Sequence, residues 1–251
     1  MNTVAQSVEP QPIFRLNDVV LERHSAGTAF RLQVPALSIF PGEKIALIGE
    51  SGCGKSTLLD MLAFVTQPDA VDLFHFQPGS AVSPVLIDRL WRKHRLNRLG
   101  DLRKQHIGYV MQTGGLLPFL SVRDNMNVSR HLLNLPDDGC VDHLAAQLGL
   151  TRHLDKLPTM LSVGERQRIA IGRALAHQPS IVIADEPTAS VDPFAAEKIM
   201  SLFIELAEAR HITVIIASHA WRHIKRLGLR RLAHHSSRSA DGLTTTTVVN
   251  G

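Results

Sequence analysis

Cysteine is scarce in this chain of 251 residues: Cys53 and Cys140 are the only two. They are too few and too far apart for a disulfide framework or a four-ligand zinc site, and both are expected as free thiols in a reducing compartment. No apolar run approaches the roughly 18 residues of a membrane-spanning helix. Residues 1–12 have neither the basic nor the apolar region of a secretory signal, so the expected location is the cytosol. Aromatic residues make up only 5%, and Trp91 alone falls within the basic stretches, which argues against a nucleic-acid surface. What is present is ordinary: 44% hydrophobic and 20% charged residues favour neither a disordered chain nor an integral membrane protein. A chain of this length fits one core with insertions or two small ones, and the reading here is a single domain spanning 1–251.

The net charge of +4 is unevenly distributed. Residues 89–104 hold seven Lys/Arg against one acid, and residues 222–238 hold six against none, so the two stretches total +12 and the rest of the chain −8. Such patches suit anionic lipid, an acidic protein surface or nucleic acid, with a solvated helix face as the plain alternative. The first is expected on a solvent-facing helix close to a membrane.

Apolar patterning predicts strands at 13–22, 30–34, 43–48, 107–111, 181–184 and 212–217. Helices are predicted at 55–66, over much of 122–178 and at 193–210, the last with Asp192 as N-cap and Pro193 at its first position. Residues 68–100 read as an irregular, basic insertion with a helix-compatible 86–99, and 113–178 as an inserted helical subdomain. Strands alternating with helices give an α/β fold with a mostly parallel sheet.

Gly49-Glu50-Ser51-Gly52-Cys53-Gly54-Lys55-Ser56-Thr57 matches G-x-x-x-x-G-K-[ST] between a buried strand and a helix, the context that makes it a phosphate-binding P-loop (Walker A). Its glycines let successive N–H groups turn inward, and the helix N-terminus adds partial positive charge. Lys55 is assigned to the β- and γ-phosphates and Ser56 to Mg²⁺. Cys53 occupies a variable position and has no redox role in this reading. Residues 181–186 run four apolar side chains into Asp185 and Glu186, which places two carboxylates at the end of a core strand (Walker B), where α/β sheets bind ligands. Asp185 suits the metal, and Glu186 suits the water that attacks the γ-phosphate. An ordinary glycine turn and a pair of surface carboxylates are the alternatives.

Leu161-Ser162-Val163-Gly164-Glu165, at the start of a helix shortly before Walker B, resembles the LSGGQ signature of the ATP-binding cassette (ABC) family. The resemblance extends from about Ile13 to Val249. Gln112 follows a strand as the family's Q-loop glutamine does, residues 189–192 look like its D-loop, and His219 follows the last core strand like its switch histidine. The resemblance implies a P-loop core with an N-terminal antiparallel β-subdomain, ATP and Mg²⁺ as cofactors, and Gln112 as a further metal ligand. It also implies a homodimer with each ATP between the P-loop of one copy and Ser162, Gly164 and Glu165 of the other.

Three positions depart from the family pattern. Val163 replaces a glycine, and a β-branched residue resists φ > 0 and fills space near the nucleotide. Glu165 replaces glutamine and adds charge. His24 stands where the family has an aromatic that stacks on adenine, and a plain surface histidine is the alternative. Residues 110–125 resemble the Q-loop segment of cassettes serving lipoprotein-releasing and macrolide-export type transporters with FtsX-like permeases. That resemblance implies an ATPase on the cytoplasmic face of a bacterial inner membrane, driving export, extraction or mechanotransmission through separate membrane subunits. A soluble cassette ATPase acting on nucleic acid or ribosomes, and a slow ATP-gated scaffold, are the competing classes.

Overall fold

Residue alternation sorts the central strands' side chains to the two faces of one sheet. In β3 (Lys44–Ile48), Ile45 and Leu47 join one apolar cluster while Ala46 and Ile48 join the other. β7 (Ile181–Asp185) and β8 (Thr213–Ser218) divide the same way, Ile183 and Ile215 on one side and Val182 and Ile216 on the other. Strands covered on both faces have no polar side to show, so they read as continuous apolar runs.

The computed structural model describes residues 11–25, 27–79, 82–219 and 226–251. Most of the 1–12 segment and residues 222–225 of the second basic stretch lie outside the described residues. The other elements are β1 (Phe14–Ser25), β2 (Thr28–Ile39), α1 (Lys55–Leu62), β4 (Leu73–Phe76), β5 (Val85–Leu86), α2 (Ile87–Arg92) and α3 (Leu96–His106). There follow β6 (Ile107–Val110), α4 (Val122–Leu132), α5 (Cys140–Gln147), α6 (Val163–Leu175), α7 (Pro193–Glu208), β9 (Arg230–Arg238) and β10 (Thr244–Asn250).

The strands form one ten-stranded sheet in the order β5-β4-β1-β2-β10-β9-β3-β8-β7-β6. β6, β7, β8, β3 and β9 run parallel, whereas β5, β4, β1 and β2 pair antiparallel. The β9–β10 hairpin joins the halves, β10 lying parallel to β2 and β9 parallel to β3. One apolar cluster fills the space among α1, α2, α3 and the antiparallel strands, with Phe14, Phe64, Phe74 and Phe76 in mutual ring contact. The other lies under α4, α5, α6 and α7. Gly108 allows the closest approach between layers: a Cβ there would sit 2.2 Å from the Ala174 carbonyl oxygen of α6.

Several boundaries differ from the sequence reading. The helix expected over 55–66 stops at Leu62, because Phe64 takes φ 59 and Val65 donates back to the Asp60 carbonyl, so the Phe64 ring turns into the aromatic cluster. The 68–100 stretch supplies β4 and β5, which extend the antiparallel half of the sheet. The helix-compatible 86–99 is two helices, broken where His94 takes φ 49. Trp91, Leu99 and Leu102 anchor the two helices in the core, and residues 92–98 between those anchors are all exposed. α7 begins as read, Asp192 Oδ1 accepting from the N–H groups of Phe194 and Ala195, a cap worth about 1 kcal/mol. The thiols of Cys53 and Cys140 are free.

Candidate active site

Gly54 ends the P-loop at φ 88, and a Cβ there would meet the Phe30 ring at 2.4 Å, so both conformation and space require glycine. The turn launches α1 with Lys55 as its first residue. The buried Lys55 side chain folds back over the loop: Nζ donates to the carbonyl oxygens of Gly49 and Glu50, 2.8 Å each, and lies 3.5 Å from Glu186 Oε1. Ser51, Gly52, Ser56, Thr57, Gln112 and Glu186 line the same cleft, of about 360 Å³. Glu50 and Cys53 face a second cavity on the loop's other side, opposite His234 and His235 of β9.

Asp185 ends β7 with Glu186 just beyond it. Burial pushes the Asp185 carboxyl above the usual range, a hydrogen bond with Ser56 works in the opposite direction, and Glu186 and Asp60 add to the rise. Asp185 Oδ1 is buried with no hydrogen-bond partner among the described residues. Glu186 has φ 44, an uncommon backbone for a non-glycine residue. It is held there by its own N–H on the Ala217 carbonyl and by the Ala189 N–H on its carbonyl. Its Oε2 lies 3.1 Å from Nδ1 of His219. Gln112 and Glu186, read as separate motifs, thus share the Lys55 cleft, and His219 adjoins it through Glu186.

The signature residues lie elsewhere. Ser162 caps α6, and Glu165 returns the bond: Ser162 Oγ accepts from Glu165 N–H at 3.3 Å while Glu165 Oε2 accepts from Ser162 N–H at 2.8 Å. Ser162 Oγ also donates to Oε2 at 2.7 Å, and His153 Nε2 is 3.1 Å from Oε1. Donation by the Ser162 hydroxyl and N–H, followed by the charges of His153 and Arg168, holds the Glu165 carboxyl below its ordinary range. With Val163, Gly164 and the D-loop residues Ser190, Val191 and Asp192, this corner lines a cavity of about 460 Å³ that shares no residue with the P-loop cleft.

Two readings of the departures change. Val163 is the first residue of α6 with helical backbone, so the φ > 0 concern does not arise, and its side chain is 41% exposed. His24 is not in the P-loop cleft: its side chain is 73% exposed and lines a different cavity beside Thr28 and Leu243. Successive strand residues point to opposite faces, and the residue facing the cleft is Arg23, directly across from Phe30 in the β1–β2 register. Two further residues were not anticipated. Arg173 of α6 donates to the carbonyl oxygens of Gly114 and Gly115, fixing the chain just after Gln112. Asn125, fully buried in α4, bonds both backbone groups of Leu117 and the carbonyls of Leu120 and Ser121. An asparagine and an arginine on helices carry no sequence signal for this; only their burial beside a loop reveals it.

A strand–loop–helix phosphate cradle, with two carboxylates at the end of β7 one strand away across β8, defines a P-loop nucleotide hydrolase. Residues 32–189 match the ABC transporter family, and the chain belongs to that family. It is 33% identical over 214 residues to a lipoprotein-releasing system ATP-binding protein, LolD 1, of Rhodospirillum rubrum, covering 84% of this chain and 90% of that one. It is 35% identical over 193 residues to the macrolide export ATP-binding/permease protein MacB of Rhodopirellula baltica, covering 73% of this chain and 26% of that one. Among solved structures, the dimeric post-hydrolysis cassette MJ0796 bound to ADP and Pi aligns with TM-score 0.73 and 27% identity over 87% of this chain and 93% of that one. CbiO1 from Clostridium perfringens, part of the ABC transporter complex cbiONQ, aligns at 0.72 and 26% over 95% of this chain and 87% of that one. The protein is an ATP-hydrolysing subunit of the transporter type, and its fold is that of the ABC cassettes.

Proposed function

We propose that two copies of this chain close on ATP and that closure drives separate membrane permease subunits, of the FtsX-like kind, from the cytoplasmic face of the membrane. The observation that carries this reading is the division of the site. Lys55, Gln112 and Glu186 line one cleft and Ser162, Val163 and Gly164 line another, so a nucleotide touching both sets needs a second copy to supply the signature. The dimeric MJ0796 cassette and the LolD and MacB relatives support it. Among the described residues no helix is long and apolar enough to cross a membrane.

In this mechanism Lys55 transfers its donors from the Gly49 and Glu50 carbonyls to the β- and γ-phosphates. The freed Glu186 carboxylate accepts a proton from the attacking water, oriented by His219. Arg23 and Phe30 offer a guanidinium and a ring to the base. Ser56, Asp185 and Gln112 would hold Mg²⁺: the buried, unpartnered Asp185 Oδ1 and the Ser56 hydroxyl are hard oxygen donors. When bound there, Mg²⁺ would supply positive charge to offset the negative charge that builds on the γ-phosphate oxygens. The test is reconstitution in liposomes with a permease encoded beside this chain: ATPase activity should rise on assembly, and an unchanged rate with no co-purification would reject the partnership.

A further inference from the structure

The Glu165 carboxylate is fully engaged, and one of its partners comes from outside the signature. Oε2 accepts twice from Ser162, and Oε1 faces His153 Nε2 at 3.1 Å. His153 ends a short 3₁₀ turn, Thr151–His153. The fully buried Leu150 and nearly buried Leu154 pin that turn, and the N–H groups of Val122 and Arg123 bond the Lys156 and Leu154 carbonyls. The imidazole is therefore presented by a rigid corner. Its Nδ1 is buried without a partner among the described residues, so the ring meets Glu165 through Nε2, whose N–H the carboxylate accepts.

Glutamate at this position carries a difficulty that glutamine does not. A carboxylate near the α6 N-terminus is well placed for the helix dipole but repels a phosphate brought to that N-terminus by a second copy. We propose that His153 is a positioning residue for the signature: by holding Oε1 it fixes the Glu165 carboxylate against the N-terminus of α6 and limits how far its charge can move toward the partner's γ-phosphate. This rests on the two-copy reading above. Arg168 also offsets the Glu165 charge, but its Nη1 is spent on the Leu148 carbonyl at 3.0 Å, and Asp192 and Lys198 of α7 face the same cavity with opposite signs. His153 is the group that touches Oε1.

The test uses the full chain carrying Glu186→Gln and reads the ATP concentration at half-maximal dimerisation by light scattering. The ATPase kcat and KM of the same substitutions are measured without Glu186→Gln. His153→Ala should raise the half-maximal ATP concentration and KM about tenfold, the worth of a hydrogen bond to a charged group, with kcat within about twofold. His153→Gln, which keeps an N–H donor, should restore both. Adding Glu165→Gln to His153→Ala should return both values to within about twofold of Glu165→Gln alone, since no charge is left to restrain. A merely structural histidine predicts a loss that Glu165→Gln does not repair, and that result overturns the proposal, as does His153→Ala with parental ATP dependence. If the parent itself fails to dimerise at saturating ATP, the two-copy reading falls and this inference with it, an outcome distinguishable because every variant is then monomeric.

Discussion

Lys55 and Glu186 are ion-paired across the nucleotide cleft, Nζ to Oε1 at 3.5 Å, with the side chains 5% and 16% exposed. The pair ties the P-loop to the end of β7, so the carboxylate proposed as the base and the lysine proposed as the principal phosphate ligand are each other's counter-ions. A phosphate has to outcompete a carboxylate for this lysine.

Glu186→Gln should therefore act twice. Loss of the base lowers turnover about 10²- to 10⁴-fold, and the neutral amide releases Lys55, so ATP binds more tightly. ATP should then shift the variant to a lasting dimer on size-exclusion chromatography with light scattering, while wild type shifts transiently. Turnover at the wild-type rate would refute the catalytic role.

Lys55→Ala removes a charge-assisted phosphate contact and leaves Glu186 without its cation. Nucleotide binding measured by calorimetry should be lost, and ATP turnover with it. Unchanged turnover would sink the P-loop assignment.

Base contact is expected from Arg23 and Phe30 and not from His24. Phe30→Ala should weaken ATP binding by about tenfold, near the upper range of a stacking contact, while His24→Ala leaves it unchanged. The reverse pattern, measured with a fluorescent adenine nucleotide, would return the role to His24.

Val163→Gly should leave ATPase activity level or raise it. The position is helical and half exposed, so the substitution costs only a few tenths of a kcal/mol in helix propensity while opening the surface proposed to meet a second copy's nucleotide. A large fall would assign valine a packing role at the interface.

Acid should destabilise the fold through His177. Burial pulls its imidazole from 6.5 down to about 4. Between those values the unfolded chain binds the proton and the folded chain does not. The contribution is thus complete above the unfolded pKa of 6.5 and is lost as pH falls toward about 4, up to about 3 kcal/mol. Denaturant midpoints at pH 7 and pH 5 should differ more in wild type than in His177→Leu; equal losses would place the acid sensitivity elsewhere.

The parallel strands and the start of α7 were legible because continuous apolar runs and a Asp-Pro helix start are local signals. The P-loop was legible for the same reason. β9 was not, since Leu232 is its one fully buried residue: that strand exists because β3 and β10 flank it, not because its sequence alternates. β10 begins with four threonines and depends on the same partners. His24 was the natural choice for an aromatic near the nucleotide, but which of two adjacent strand residues faces the cleft depends on the pleat, and one residue of register exchanges the faces. Glu165 was visible as a change of charge; the histidine beside it was not, because His153 and Glu165 meet only after α5 and the 3₁₀ turn have folded back on α6.

The position of the β9–β10 hairpin also sets the order of assembly. Strands β2 and β3 are near neighbours in the chain, yet the sheet places residues 230–250 between them. During synthesis the antiparallel half and the P-loop strand emerge early and have to wait, edges unpaired, for a segment made about two hundred residues later. Such long-range closure is slow and leaves nascent edges open to mispairing. The P-loop strand therefore gains its β9 neighbour only once the last segment of the chain has been inserted, so the nucleotide site is among the last parts of the fold to be completed.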